Sequence, residues 1–159
     1  MLIRKAERFD AGSMFAIVRE ATAAADTLPF RAMPDALCEA HWFGPHQAWV
    51  ATSDDDRVEG IYKLGDNYPD SGSHVASATY IVASGARGRG IGRTLVEHSL
   101  DEARSRGYSA IVFNYVVASN AAAVALYLKL GFAVVGTIPG AFRHPALGPV
   151  DVYVMHRAL

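Results

Sequence analysis

The chain has 159 residues, of which 51% are hydrophobic, so it is long and apolar enough to bury one core as a single domain, residues 1–159. Fifteen basic residues nearly balance 16 acidic ones, and this balance argues against a nucleic-acid-binding protein or one attracted to membrane surfaces. The only cysteine, Cys38, cannot form an internal disulfide, and the first residues lack the apolar core of a secretory signal, so we expect a cytoplasmic protein.

The first half of the chain is predicted to contain two helices and four strands. Apolar and polar residues alternate in LIRKA, which predicts a short strand. Asp10 can cap a helix that runs to about Ala24. After a proline-containing break, Pro34 suits the first turn of a short helix that ends near Phe43. QAWVAT and VEGIYKL flank the polar turn SDDDR as a hairpin, and SHVASATYIVA is a longer strand.

The second half alternates helices and strands. Apolar residues from Ile91 to Ala103 share one face of a helix that Gly107 ends. SAIVFNYVV is nearly all apolar, as a central strand covered on both faces would be. Asn120 starts a further helix that Gly131 closes, and FAVVGTI and VDVYVMHRAL are the last two strands. This order predicts a mixed α+β fold with a βαβ unit at its centre.

The segment RGRGIGRTL, residues 87–95, joins a predicted strand to a predicted helix and is rich in glycine and arginine. A helix start offers unpaired N–H groups and a partial positive charge, and glycines let backbone approach an anion closely. The segment therefore predicts a phosphate-binding loop. Its spacing is neither that of a dinucleotide site nor that of a nucleoside-triphosphate loop. Considered alone, it is equally compatible with a glycine-rich turn that exposes its arginines to solvent.

Two motifs carry a resemblance to a known family. VASGARGRGIGRTL is similar to the signature R/Q-x-x-G-x-G/A of the GCN5-related N-acetyltransferase (GNAT) superfamily. NAAAVALYLKLGF resembles its second hallmark, in which an asparagine opens a helix, a tyrosine follows seven residues later and Gly-Phe ends the helix. The matching residues are Arg87, Gly90 and Gly92 in the first motif and Asn120, Tyr127, Gly131 and Phe132 in the second.

The resemblance extends over essentially the whole chain and implies the GNAT fold. This is a mixed α/β architecture in which about four helices flank a mostly antiparallel twisted sheet, and the fourth and fifth strands splay apart. The strand before the glycine loop is expected to be bulged. The tail GTIPGAFRHPALGPVDVYVMHRAL further resembles a branch that includes acetyltransferases of small amino acids and their analogues.

The resemblance also implies acetyl-CoA as co-substrate, with its pyrophosphate at the glycine loop and its pantetheine arm along the splayed strand. The backbone N–H near Val82 would then polarise the thioester carbonyl as an oxyanion donor. The implied cofactor-binding residues are Val82, Ser84, Arg87, Gly88, Arg89, Gly90, Ile91, Gly92, Arg93, Thr94 and Asn120.

Tyr127 is the residue that the resemblance assigns as general acid, protonating the thiolate of CoA as it leaves. Considered alone, a packing role would be favoured for this tyrosine, and its spacing from Asn120 reverses that preference. No general base is evident, and the four candidates Glu20, Asp26, His74 and Asp151 stay unassigned. The histidines lack metal-ligand spacing, so we expect no metal site.

The acceptor site can be inferred from the alternation of side chains on splayed strands. Ser77 and Asn114 are candidate polar lining, and Arg31 and Arg143 are candidates to pair with a carboxylate on the acceptor. We therefore predict an acetyl-CoA-dependent N-acetyltransferase of a small amine, such as an amino acid or analogue, with no nucleic-acid or membrane partner. The alternatives are a protein or peptide acceptor and a catalytically silent acyl-CoA-binding domain. A homodimer is compatible with either function.

Overall fold

A seven-stranded sheet runs through the computed structural model, which describes residues 1–159. The sheet order is β1-β2-β3-β4-β5-β7-β6, and every neighbouring pair is antiparallel except β4 and β5. The strands are β1 Leu2–Lys5, β2 Gln47–Thr52, β3 Val58–Asp66, β4 Val75–Val82, β5 Ala110–Val117, β6 Ala133–His144 and β7 Gly148–Ala158. The helices are α1 Ala11–Ala24, α2 Asp35–Trp42, α3 Ile91–Ser105 and α4 Ala121–Lys129.

The parallel pair β4 and β5 opens after a short paired segment. Val75, Ala76 and Ser77 of β4 pair with residues 110–112 of β5, and no pairing follows. On its other side β4 pairs with β3 as far as Val82 without a shift of register. The predicted splay and the predicted central βαβ unit, β4-α3-β5, are therefore confirmed.

The bulge that was expected in β4 lies elsewhere. The pairing register between β5 and β7 shifts between Phe113 and Val116 of β5. An extra residue at such a point bends the strand that carries it. The bend of β5, rather than one of β4, therefore accompanies the opening of the gap.

Both faces of the sheet are covered, and the alternation of strand side chains divides the core in two. On β4, Tyr80 packs with the cluster of α3, whereas Ile81 packs with the cluster of α1 and α2. The apolar face predicted for α3 is buried, as expected. Its buried members are Ile91, Leu95, Val96, Leu100 and Ala103.

The strand predicted as FAVVGTI is longer than its alternation indicated. β6 continues through Pro139 and Gly140 to His144, and its register against β7 shifts between Val134 and Gly136 and again between Ile138 and Phe142, across the proline. An edge strand tolerates a proline because one side of its backbone has no strand partner, and bulges absorb the misfit. Arg143 and His144 are therefore strand residues, not loop residues. None of the helices is long and apolar enough to cross a membrane.

Candidate active site

A cavity of about 910 Å³ lies where β4 and β5 separate. Six parts of the chain line it: the α1–α2 connection with adjoining residues of α1 and α2, β4 from Ser77 onward, the glycine loop with the first turns of α3, β5 from Phe113 onward, α4 with the residues before it, and His144 at the end of β6. The splayed strands, the glycine loop and the second motif thus meet in one cavity.

The edge of β4 that faces β5 carries backbone groups without a strand partner. The Ala83 N–H donates to the Glu59 carbonyl of β3 over 2.9 Å, and in an antiparallel pair such bonded positions alternate with positions that point the other way. Ala78, Tyr80 and Val82 therefore direct their N–H and C=O groups toward β5. Because β5 pairs with only the first three residues of β4, these groups border the cavity. An extended ligand can bind there as an added strand would.

The glycine loop presents free N–H groups to the same cavity. Gly88 and Gly90 have φ angles of +76° and +82°, where a side chain would cost about 1–2 kcal/mol. The Thr94 N–H donates to the Gly90 carbonyl over 3.1 Å as the first bond of α3, so the N–H groups of residues 91–93 have no helical partner. Arg87 and Arg93 line the cavity beside them. The loop can therefore bind an anion with backbone N–H groups and two guanidinium groups.

Three residues predicted to bind the cofactor do not line this cavity. Arg89 forms an ion pair with Glu59 over 2.7 Å, and this contact holds the pKa of the Glu59 carboxyl below its usual value. The Ser84 hydroxyl and N–H both donate to Glu20, and they lower the pKa of that carboxyl. The Thr94 hydroxyl lies 3.3 Å from the Gly90 carbonyl. The remaining predicted residues do line the cavity: Val82, Arg87, Gly88, Gly90, Ile91, Gly92, Arg93 and Asn120.

Tyr127 lies in an aromatic cluster at the cavity wall. Its ring centroid is 4.6 Å from that of Phe113 and 6.3 Å from that of Tyr80. Burial raises the pKa of Tyr127 to about 12, so the phenol keeps its proton at neutral pH. Asn120 caps α4, since its side-chain oxygen accepts from the Ala123 N–H at 3.4 Å. The cap fixes the start of the helix that carries Tyr127.

Of the four candidate bases, only Asp26 lines the cavity. Glu20 is held by Ser84, as described above. Asp151 accepts a hydrogen bond from the Gly140 N–H over 2.9 Å. His74, which precedes β4, is outside the lining.

The predicted acceptor residues divide into two groups. Ser77 and Asn114 line the cavity, and the Asn114 amide donates to the Asn67 side chain over 2.6 Å. Arg31 and Arg143 do not line it, although their neighbours Phe30 and His144 do. Their pairing with an acceptor stays a prediction.

His41 and Trp42 are among the lining residues that the sequence did not predict. Both end α2, and their rings meet edge to face with centroids 5.7 Å apart. Burial, followed by the nearby Lys63, lowers the pKa of His41 to about 4, so this imidazole is neutral at pH 7. The signal available in the sequence was an aromatic pair at the end of a short helix, and a core packing role explains such a pair equally well. No cluster of metal-ligating side chains is present.

The comparisons with known proteins agree with this geometry. A family model described as "Acetyltransferase (GNAT) family" matches residues 13–132. The structure of a GCN5-related N-acetyltransferase from Kribbella flavida has a TM-score of 0.96 and is 40% identical, covering 99% of this chain and 97% of that one. A ribosomal-protein-alanine N-acetyltransferase from Brucella melitensis has a TM-score of 0.88 and is 29% identical, with 100% of both chains covered.

The curated relatives are longer proteins. The mycothiol acetyltransferase of Renibacterium salmoninarum is 33% identical over 99 residues, which are 61% of this chain and 29% of that protein. This chain thus corresponds to a minor part of that relative. Solved proteins with this fold include one determined with its cofactor acetyl-CoA. Because the family model spans most of the chain and both of its motifs, the chain belongs to the acetyltransferase (GNAT) family.

Proposed function

We propose that this chain is an acetyl-CoA-dependent N-acetyltransferase whose acceptor is the amine of a small molecule. The observation that carries the proposal is that three features meet in one cavity: the unpaired edge of β4, the free N–H groups of the glycine loop, and the Tyr127 phenol. Acetyl-CoA has an amide-containing extended arm, a pyrophosphate and a thioester, and each feature suits one of these.

The residues would divide the binding of acetyl-CoA among them. The β4 backbone at Tyr80 and Val82 can bond the amides of the pantetheine arm as a neighbouring strand would. The N–H groups of residues 91–93, with Arg87 and Arg93, can bind the pyrophosphate at the start of α3. Gly92 leaves room for the arm between β4 and α4, because a Cβ there would meet Val82 and Leu126.

Acetyl transfer needs an oxyanion donor and an acid for the departing sulfur. Acetyl-CoA supplies a thioester that a neutral amine can attack. The Val82 N–H, unpaired with β3, is available to the thioester oxygen as negative charge develops. Tyr127 can donate its phenolic proton to the sulfur, because burial keeps that proton in place at neutral pH. A silent acyl-CoA-binding domain would have no need of this phenol.

The acceptor would enter from the side of the cavity formed by the α1–α2 connection and β5. Ser77 and Asn114 supply polar groups there, and the aromatic side chains Phe30, Trp42 and Tyr115 line the same cavity. A protein N-terminus is the second candidate acceptor, because a relative of nearly full coverage is named for acetylating a ribosomal-protein alanine.

The proposal is tested by a CoA-release screen with acetyl-CoA and panels of amino acids, amino-acid amides, polyamines, aminoglycosides and short peptides. We expect release with small amines. Release with peptides alone would favour the protein acceptor. No release with any amine, while acetyl-CoA still raises Tm, would favour the silent domain.

A further inference from the structure

The aspartate and arginine side chains that line the cavity belong to two different parts of the chain. Arg87 and Arg93 belong to the glycine loop and the first turn of α3. Asp26, in the connection between α1 and α2, is the only carboxylate among all the lining residues. No salt bridge joins Asp26 to a cation of this protein. A negative charge on the acceptor side therefore has no counterion.

The Asp26 side chain is half-buried. Its Oδ1 atom is covered from solvent and has no hydrogen-bond partner, which is true of only four buried side-chain atoms in the chain. The preceding residue, Ala25, ends α1 in the left-handed conformation that is common at helix C-termini, with a φ of 53°. The unpartnered Oδ1 atom costs stability, and it belongs to a residue that lines the cavity. Costs of this kind concentrate where a ligand completes the structure.

The cavity that Asp26 lines also has an aromatic wall. Phe30 and Trp42 each meet the His41 ring edge to face, with centroid distances of 5.9 and 5.7 Å. The Trp42 indole N–H is another of the four buried atoms without a partner. Aromatic rings attract organic cations through their faces. A cavity that has both a carboxylate and an aromatic wall suits an ammonium group.

We propose that Asp26 binds the ammonium group of the acceptor, and that the preferred acceptor is a net cationic amine without a carboxylate beside its nitrogen. The inference rests on the function proposed above and narrows its substrate class. Primary amines are mostly protonated at neutral pH, so the acceptor arrives as a cation that Asp26 attracts. The bound ammonium group then loses one proton to water, and the resulting neutral amine attacks the thioester. The carboxylate of a zwitterionic amino acid would be repelled. Asp26 acts here as a positioning residue, so its removal should change KM more than kcat.

The test compares amino-acid amides with the corresponding free amino acids at pH 7, using alanine, methionine and phenylalanine as three matched pairs. The variants are Asp26→Asn, which keeps the shape and removes the charge, and Asp26→Glu, which keeps the charge. Thr52→Val is the control, because it removes another unpartnered buried atom that lies outside the cavity. Amides and acids differ in amine basicity, so the amide-to-acid ratio of kcat/KM is compared between variants.

We expect Asp26→Asn to raise KM for the amides about ten- to a hundred-fold, the loss of a hydrogen bond to a charged group, and to lower the amide-to-acid ratio by a similar factor. Asp26→Glu should restore part of the amide affinity and part of the amide-to-acid ratio. Thr52→Val should leave KM and the ratio unchanged. An unchanged ratio in Asp26→Asn would overturn the proposal. A fall in kcat at constant KM would overturn it as well, since it would make Asp26 a base.

Two further measurements separate this inference from the proposed function. Without ligands, Asp26→Asn should raise Tm by about 2–4 °C, because a half-buried carboxylate with one covered, unpartnered oxygen loses its charge; a lower Tm would indicate a structural partner for Asp26. If no amine releases CoA, the same pairs are titrated calorimetrically into the CoA-bound protein. Preference for amides that depends on Asp26 would still support the inference, and its absence would refute it.

Discussion

Gly92 offers the sharpest test of the proposed pyrophosphate site, through the substitution Gly92→Asp. Gly92 is the second residue of α3 and has ordinary helical geometry. A Cβ there would lie 3.7 Å from a Val82 methyl and 3.8 Å from a Leu126 methyl, which are ordinary contacts. Since both neighbours line the cavity, the new side chain would enter the proposed acetyl-CoA site without displacing the fold.

In the absence of ligand, Gly92→Asp should stabilise the protein slightly. An acidic residue in the first turn of a helix contributes about 0.3–1 kcal/mol, and replacing a helical glycine adds a few tenths. For a chain of this size, 1 kcal/mol corresponds to about 2–4 °C in Tm. The expected change is therefore a rise of about 1–5 °C.

Acetyl-CoA should stabilise this variant much less than the wild-type protein. At an effective dielectric constant of about 20, two negative charges about 5 Å apart repel by about 3 kcal/mol, which weakens binding more than a hundred-fold. At 100 times the wild-type Kd, acetyl-CoA adds about 2.7 kcal/mol to the wild-type free energy of unfolding, or about 5–11 °C. In the variant the same concentration is close to the new Kd, and the shift falls to about 1–2 °C.

The assay is thermal unfolding with and without acetyl-CoA, with Gly92→Asn as the neutral control of the same size. We expect Gly92→Asn to keep a larger part of the ligand shift than Gly92→Asp. A full shift in Gly92→Asp would refute the assignment of the glycine loop. Equal losses in the two variants would show that size, not charge, decides, and would refute the anion-binding argument.

Other predictions concern catalysis, pH and the peripheral cations. Tyr127→Phe should lower kcat about ten- to a thousand-fold at nearly constant acetyl-CoA affinity measured by calorimetry, and an unchanged kcat where chemistry limits the rate would exclude it as the acid. Because burial raises the pKa of Tyr127 to about 12, a fall in kcat near pH 9 that Tyr127→Phe abolishes would contradict the structure. The pKa of His41 is about 4 in the folded protein, below its ordinary 6.5, so the unfolded chain is protonated first as the pH falls. Tm should therefore decrease from pH 6.5 toward pH 4, and His41→Phe should reduce this decrease. Arg31→Ala and Arg143→Ala should each leave the KM for free amino acids within about two-fold, because neither residue lines the cavity, and a clear rise in one of them would support its predicted pairing with a carboxylate.

The parts of the fold that the sequence predicted well are those governed by local periodicity. The apolar spacing of α3 and the glycine that ends it follow from helix geometry alone, and the structure agrees with both. β6 was predicted too short because Pro139 normally ends a strand. Its position at the sheet edge, which removes that restriction, is known only from the whole topology.

The sequence predicts the candidate site where a motif determines the backbone geometry. It does not predict which of several possible partners a side chain pairs with. Gly88 and Gly90 require left-handed φ angles in any structure of this loop. The three arginines of the loop look alike in sequence, yet Arg89 turns to Glu59 of β3, while Arg87 and Arg93 stay at the cavity. That choice depends on a strand about 30 residues away in the chain, so no local pattern encodes it.

Asp26 illustrates the same limit at the acceptor side. In sequence it is one of several acidic residues that follow or precede helices, with no feature to separate it from Glu20. In the structure Glu20 has a partner in Ser84, and the Oδ1 atom of Asp26 has none. The distinguishing property is the absence of a hydrogen bond after folding, and only packing determines that.

Although the net charge of the chain is near zero, the cavity has basic residues at the glycine loop and an acidic residue at the acceptor side. This separation of charge affects how the binding of one ligand changes the affinity for the other. The basic glycine loop would attract an anionic cofactor, and bound acetyl-CoA would bring more negative charge to the same cavity than Arg87 and Arg93 neutralise. The potential at Asp26 would then become more negative, and a cationic acceptor would bind more tightly to the acetyl-CoA complex than to the free protein. Since such coupling is reciprocal, the acceptor would also strengthen cofactor binding, and a zwitterion would gain little. Because much of the interaction runs through a cavity rather than open solvent, added salt should weaken this coupling less than it weakens surface ion pairs such as that between Arg19 and Asp35.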